Sequence, residues 1–299
     1  MTNLINKLKF NNIPFKCDEP MSLHTSFKTG GNASVFIDID CYEKLGRVLK
    51  ICDETATDVF VLGKGSNLLV SDDGIKDRAV VHISTDFAGM KLVDETTVEV
   101  EAGASLASLC KFALANSLTG LEFAYGIPGS CGGAAYMNAG AYGGEMKDVT
   151  VSVNHIDKAG NVGCFSGDEL NFGYRKSAYT GSDLIITSLV IKLQKGDKAE
   201  IEAKMTDIMG RRVEKQPLEY PSAGSVFKRP DGYFAGVLIE QSGLKGKRIG
   251  GAMVSEKHAG FIINYDSATT TDVLDLIKYC QDTVYEKFNV RLETEIKFV

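Results

Sequence analysis

Between Gly126 and Gly144 the sequence GIPGSCGGAAYMNAGAYGG places seven glycines, one proline and several small residues in nineteen positions. Glycine accepts positive φ and leaves its amide bare, so such a stretch can lay N–H groups along a phosphate or a flat ring with no side chain intervening. An upstream loop, Gly63-Lys64-Gly65-Ser66-Asn67, repeats that chemistry on a smaller scale. Tight turns are the ordinary use of so much glycine. Two such loops in one chain point instead to a single extended, phosphate-bearing ligand held by both. The usual nucleotide patterns do not apply. In Gly63-Lys64-Gly65-Ser66-Asn67-Leu68 the sixth position is leucine, not the glycine that opens a Rossmann helix, and no G-x-x-x-x-G-K-[ST], H-E-x-x-H or G-x-S-x-G occurs.

The elements that must position these loops are legible in part. Ser34 to Ile39 reads as a strand, and Leu45, Val48, Leu49 and Cys52 share one face of a helix. Asp58 to Leu62 is a short strand running into Gly63, and Leu68 to Val70 another, with no helix between them. Val80 to Ile83 and the alternating Val98, Val100 and Ala102 are further strands. Ser105 caps a helix carrying Leu106, Leu109, Cys110, Ala113 and Leu114. Beyond the long glycine loop, Val149, Val151 and Val153 alternate as a strand, Asp157 to Asn161 is a hairpin turn, and Ser166 with Glu169 forms a capping box. Leu184 to Leu193 is a strand, and a helix runs from about 199 to 214. Gln216 to Pro221 reads as a connector. After it come a strand, Ala259 to Asn264, and a helix from about 271 to 288 with Val273, Leu274, Ile277, Cys280, Val284, Tyr285 and Phe288 on one face. Glu293 to Val299 reads as a closing strand.

At 299 residues with 44% hydrophobic and 24% charged content, the chain suits two or three packed units sharing one cleft. A net charge of −6 disfavours nucleic acid and anionic membrane as partners. The opening MTNLINKLKFNNIPF lacks the apolar run of a secretory signal, so a cytoplasmic location is expected. Seven cysteines, odd in number and with no C-x-x-C pair, suit reduced thiols, with neither disulfides nor a metal site expected.

Seven separated motifs then coincide in order: TSFKTGGNA, LGKGSNLLVSD, GIPGSCGGAAYMNAGAYGGE, FGYRKS, SAGSVFKRP, LKGKRIGGAMVSEKHAGFIIN and EKFNVRLETEIKF. Together they resemble the UDP-N-acetylenolpyruvoylglucosamine reductase family over nearly the whole chain. The resemblance implies an α+β protein: a FAD-binding domain of the vanillyl-alcohol-oxidase (PCMH) type plus a C-terminal α+β substrate-binding domain. The implied division is 1–84 with 292–299, then 85–205, as two FAD-binding subdomains, and 206–291 for the UDP-sugar. It further implies non-covalent FAD, NADPH as co-substrate, and a monomer acting on an enolpyruvyl ether of UDP-N-acetylglucosamine in peptidoglycan precursor synthesis.

By motif, Leu62, Gly63, Lys64, Gly65, Ser66, Asn67 and Leu68, with Gly126, Ile127, Pro128, Gly129, Ser130, Gly132, Gly133, Ala134, Asn138 and Gly140, are the expected cofactor-binding positions. Cys131, inside that loop, suits a buried small thiol. Three catalytic positions carry over. Arg175 faces the enolpyruvyl carboxylate, for which a planar, permanently charged guanidinium is suited. Ser225 delivers a proton to the carbanionic carbon, which demands a hydroxyl held in line. Glu295 helps polarise the substrate. By period two it shares a strand face with Glu293 and Lys297, whose ordinary reading is a cross-strand charge pair.

Tyr174, Arg212, Lys215 and Lys228 are the expected substrate contacts. From 204 to 257 ten Lys or Arg stand against six Asp or Glu, a local excess that suits an anion. Longer family members carry an extra tyrosine-bearing loop that has no counterpart here, which places the chain with the shorter branch. Two alternatives stay open: a flavin-dependent oxidase or dehydrogenase of a small alcohol or hydroxy acid, and a non-catalytic nucleotide-sugar binding protein.

Overall fold

The computed structural model describes residues 1–299. The chain forms two compact units: residues 1–17, 35–64 and 77–211, and residues 18–34, 65–76 and 212–299. This two-way partition differs from the three units expected above (1–84 with 292–299, 85–205, 206–291), because segments 18–34 and 65–76 join residues 212–299.

In the first unit, a sheet in the order Lys16–Pro20, Asn32–Ile39, Arg78–Ile83, Asp58–Leu62 has its last three strands parallel, with Phe36 opposite Val80 and Val80 opposite Phe60. Helix α1 (Thr2–Phe10) buries Leu4 and Leu8, four residues apart, and α2 (Tyr42–Glu54) buries Leu45, Val48, Leu49, Ile51 and Cys52, the expected stripe with one addition. A five-stranded antiparallel sheet runs Val162–Ser166, Thr150–Ile156, Ile185–Lys192, Thr97–Glu101, Met90–Leu92. Its buried residues belong to the same core as those of α3 (Leu106–Ala115), whose cap Ser105 accepts from Ser108 N–H as expected. The turn at 157–161 closes with Asp157 N–H donating to Asn161 O.

The Val149, Val151, Val153 alternation fails. Thr150 pairs with Ile191 and Ser152 with Val190, so Val151 is the extra residue of a β-bulge and turns outward, 45% exposed, whereas Val149 and Val153 are buried. The stretch 126–144 also corrects the reading as pure loop, because Cys131–Tyr136 is a helical turn and a half, α4, capped by Ser130 accepting from Gly133 N–H. Small residues hid it by lacking an apolar stripe.

Helix α5 (Lys198–Lys215) carries the chain to the second unit, where α6 (Ala235–Gln241) and α7 (Thr270–Phe288) enclose a core with Phe27, Leu69 and the antiparallel strands Arg248–Ile249, Ala252–Val254 and Ile262–Asn264. Leu276, not Leu274 or Tyr285, completes the buried face of α7. Strand 259–264 is shortened to 262–264 by a turn in which Phe261 N–H donates to His258 O. The closing strand is likewise short: only Lys297–Phe298 form a ladder, parallel to Leu68–Leu69, while Thr294 makes an isolated bridge to Phe227. No helix is long and apolar enough to cross a membrane.

Candidate active site

In the first unit Gly63 meets the long glycine-rich stretch. A Cβ on Gly63 would lie 2.7 Å from Ser130 Oγ, so glycine is what lets the loops touch. Gly132 is equally constrained, since a Cβ there would lie 2.9 Å from Ala102 Cβ. Gly133 differs: it is exposed, and the one atom near its missing Cβ is the cap oxygen of Ser130 at 3.3 Å. Glycine inside a helix costs about 0.5–1 kcal/mol against alanine, so a bare position that packing does not require is a cradle open to a ligand. No backbone carbonyl accepts from the amides of Lys64, Gly65 or Ser66, which leaves three donors on one short loop for an anion. Both observations fit a dinucleotide such as FAD. Cys131 is fully buried, and burial pushes its thiol far above the ordinary range, as an inert packing residue requires.

The same unit brings Arg175 to the glycine-rich stretch. Gly173 and Lys176 close a tight turn with Tyr174 and Arg175 at its tip, and Arg175 adopts φ +56°. Its Nη2 donates to Gly140 O at 3.3 Å, and its guanidinium lies 5.2 Å from the Tyr174 ring, which is 53% exposed. Ser177 Oγ donates to Tyr136 O at 2.8 Å, and Asn138 Nδ2 to Gly173 O at 3.0 Å. Neither strap carries a sequence signal, because serine and asparagine near turns have many local uses.

In the second unit, Gly65 holds φ +59°, with its missing Cβ 2.1 Å from His24 O, and its own carbonyl accepts from Ser26 N–H. Asn67 Nδ2 donates to Glu295 O at 3.2 Å, and Lys297 N–H donates to Asn67 O. Glu295 N–H in turn donates to Val226 O at 2.7 Å, with Ser225 bridged to Phe261 and Phe227 to Thr294. Ser225 and Glu295, seventy residues apart, therefore stand on adjoining backbone segments, tied to the loop that carries Gly65 to Leu68.

The basic excess of 204–257 is answered in part by ion pairs: Lys204 with Glu122, Arg211 with Asp207, Lys228 with Glu293 and Lys245 with Glu240. Glu293 thus takes an ion pair with Lys228 across the two segments. Arg212 is buried in α5 with Nη1 3.4 Å from Gln216 Oε1, whereas Lys215 is exposed at the last residue of that helix.

Known proteins resemble this chain over most of its length. Residues 33–163 match the family described as "FAD binding domain", and residues 216–299 the family described as "UDP-N-acetylenolpyruvoylglucosamine reductase, C-terminal domain". A UDP-N-acetylenolpyruvoylglucosamine reductase of Alkaliphilus oremlandii is 49% identical over 282 residues, covering 94% of this chain and 92% of the relative. The crystal structure of the Thermus caldophilus reductase superposes with a TM-score of 0.79 at 35% identity, covering 96% of this chain and 98% of that one. A variant of berberine bridge enzyme, at 18% identity and TM-score 0.51 over 65% of this chain and 44% of its own, shares the fold alone.

Proposed function

The chain belongs to the UDP-N-acetylenolpyruvoylglucosamine reductase family, and from that premise we propose that it reduces the enolpyruvyl ether of UDP-N-acetylglucosamine to UDP-N-acetylmuramate with FAD and NADPH. Bound flavin, reduced by NADPH, supplies the hydride for the vinyl carbon. The chain's own residues do the rest. Arg175 binds the substrate carboxylate and stabilises the negative charge that grows there as hydride adds. Ser225 donates its hydroxyl proton to the adjacent carbon, and Glu295 polarises the same group. Residues 206–291, with Tyr174, Arg212, Lys215 and Lys228, take the UDP-sugar. The setting is peptidoglycan precursor synthesis in the cytoplasm by a monomer, with no nucleic-acid or membrane partner.

The observation that carries this reading is the pairing of the Ser225 and Glu295 segments through Glu295 N–H and Val226 O, on the same scaffold as the Asn67 loop. The visible spectrum tests it. A yellow protein that NADPH bleaches and the enolpyruvyl sugar nucleotide restores is the expected result. A yellow protein indifferent to NADPH but bleached by a small alcohol would favour the oxidase reading, and a colourless one that FAD cannot reconstitute would remove the flavin.

A further inference from the structure

The turn that presents Arg175 has little to hold it from within: Gly173 N–H donates to Lys176 O at 3.0 Å, and the return bond is 3.3 Å. Its support is the side chain of Asn138. Asn138 is fully buried just past the end of α4, at φ +42°. Its Nδ2 donates to Gly173 O at 3.0 Å and to Glu145 Oε2 at 2.5 Å, while its Oδ1 accepts from Lys147 N–H at 2.9 Å. Both amide hydrogens are committed, so a residue whose motif pointed to the cofactor keeps no donor for one. We infer that Asn138 is a positioning residue for Arg175, fixing the base of its turn against the stretch whose Gly140 carbonyl meets the guanidinium. Ser177 straps the far end of the same turn to Tyr136. The inference rests on the proposed role of Arg175 toward the substrate carboxylate.

The test uses the FAD-loaded enzyme and times two half-reactions separately: bleaching by NADPH and reoxidation by the enolpyruvyl substrate. Asn138→Ala is expected to slow reoxidation about 30-fold more than bleaching, since a displacement of an ångström at a reacting group can cost on the order of 100-fold. In an Arg175→Ala background the same substitution should alter reoxidation less than about 3-fold, because the guanidinium it positions is gone. Equal losses in both backgrounds, or in both half-reactions, would overturn the inference. If Asn138→Ala does not fold, Ser177→Ala releases the other end of the turn and must show the same split, with equal losses counting against it. Arg175→Ala alone separates the two readings. An unchanged reoxidation rate removes the role of Arg175, whereas a large loss there with additive effects of Asn138 removes only the positioning.

Discussion

Arg175 and Ser225 are held by opposite means. The Arg175 turn hangs on side chains, Asn138 at one end and Ser177 at the other. Ser225 and Glu295 are held by main chain, through the 226–295 hydrogen bond and the bridges of Ser225 to Phe261 and Phe227 to Thr294. A position held by side chains can be loosened by a point substitution elsewhere. One held by main chain loses its chemistry only when its own side chain is changed.

That contrast predicts its largest effect at Ser225. Ser225→Ala should slow reoxidation of reduced flavin by at least about 100-fold, with bleaching by NADPH and the melting temperature unchanged, as stopped-flow traces and a thermal scan would read. A substantial loss of melting temperature would mean that the hydroxyl is structural and the contrast wrong.

The glycines sharpen the same comparison. Gly65→Ala must place a methyl 2.1 Å from His24 O at a positive φ, so the protein should lose about 2 kcal/mol or more in urea. Gly133→Ala places a methyl 3.3 Å from the Ser130 cap oxygen, a far milder contact, so the flavin-free protein should stay within about 1 kcal/mol of the parent while FAD binding weakens. If Gly133→Ala leaves FAD affinity intact, its bare face is not a cradle.

The smallest effect concerns how the second unit anchors its loop. Burial alone would raise the Asp72 carboxyl, but hydrogen bonds from the Thr270 and Thr271 amides and the Thr271 hydroxyl outweigh it and hold the group below its ordinary range. A carboxyl depressed in the folded state adds stability above its unfolded value of about 4 and loses it as the pH falls from there through the lower folded value. Asp72→Asn should therefore flatten the acid side of the stability profile in urea titrations. Parallel profiles for both proteins would show that Asp72 contributes nothing there.

Periodic and capped elements were legible in sequence because their signal is local: the stripe of α2, the Ser105 cap, the 157–161 hairpin. What escaped depends on partners far along the chain. Val151 faces outward because of the register of Ile185–Lys192, and α4 is helical with two glycines because its surroundings hold it. The site divides the same way. Motifs marked the glycine loops, Arg175, Ser225 and Glu295, but the bond from Asn138 to Gly173, thirty-five residues away, exists only in three dimensions. The strand expected at 293–299 is short for a related reason: its last residues bond to 67–71, whereas Glu295 N–H goes to Val226 O and Glu293 O accepts from Lys228 N–H on a different segment.

The left-handed backbone of Arg175 sets durability against turnover at a single dihedral. Glycine takes φ +56° without strain, whereas a residue bearing a Cβ gives up about 1 kcal/mol there. A screen that rewarded heat resistance alone would give no credit for an arginine at this dihedral. Exchanging it for glycine would remove the charge proposed to meet the substrate carboxylate, so selecting variants of this chain for robustness has to score turnover alongside melting.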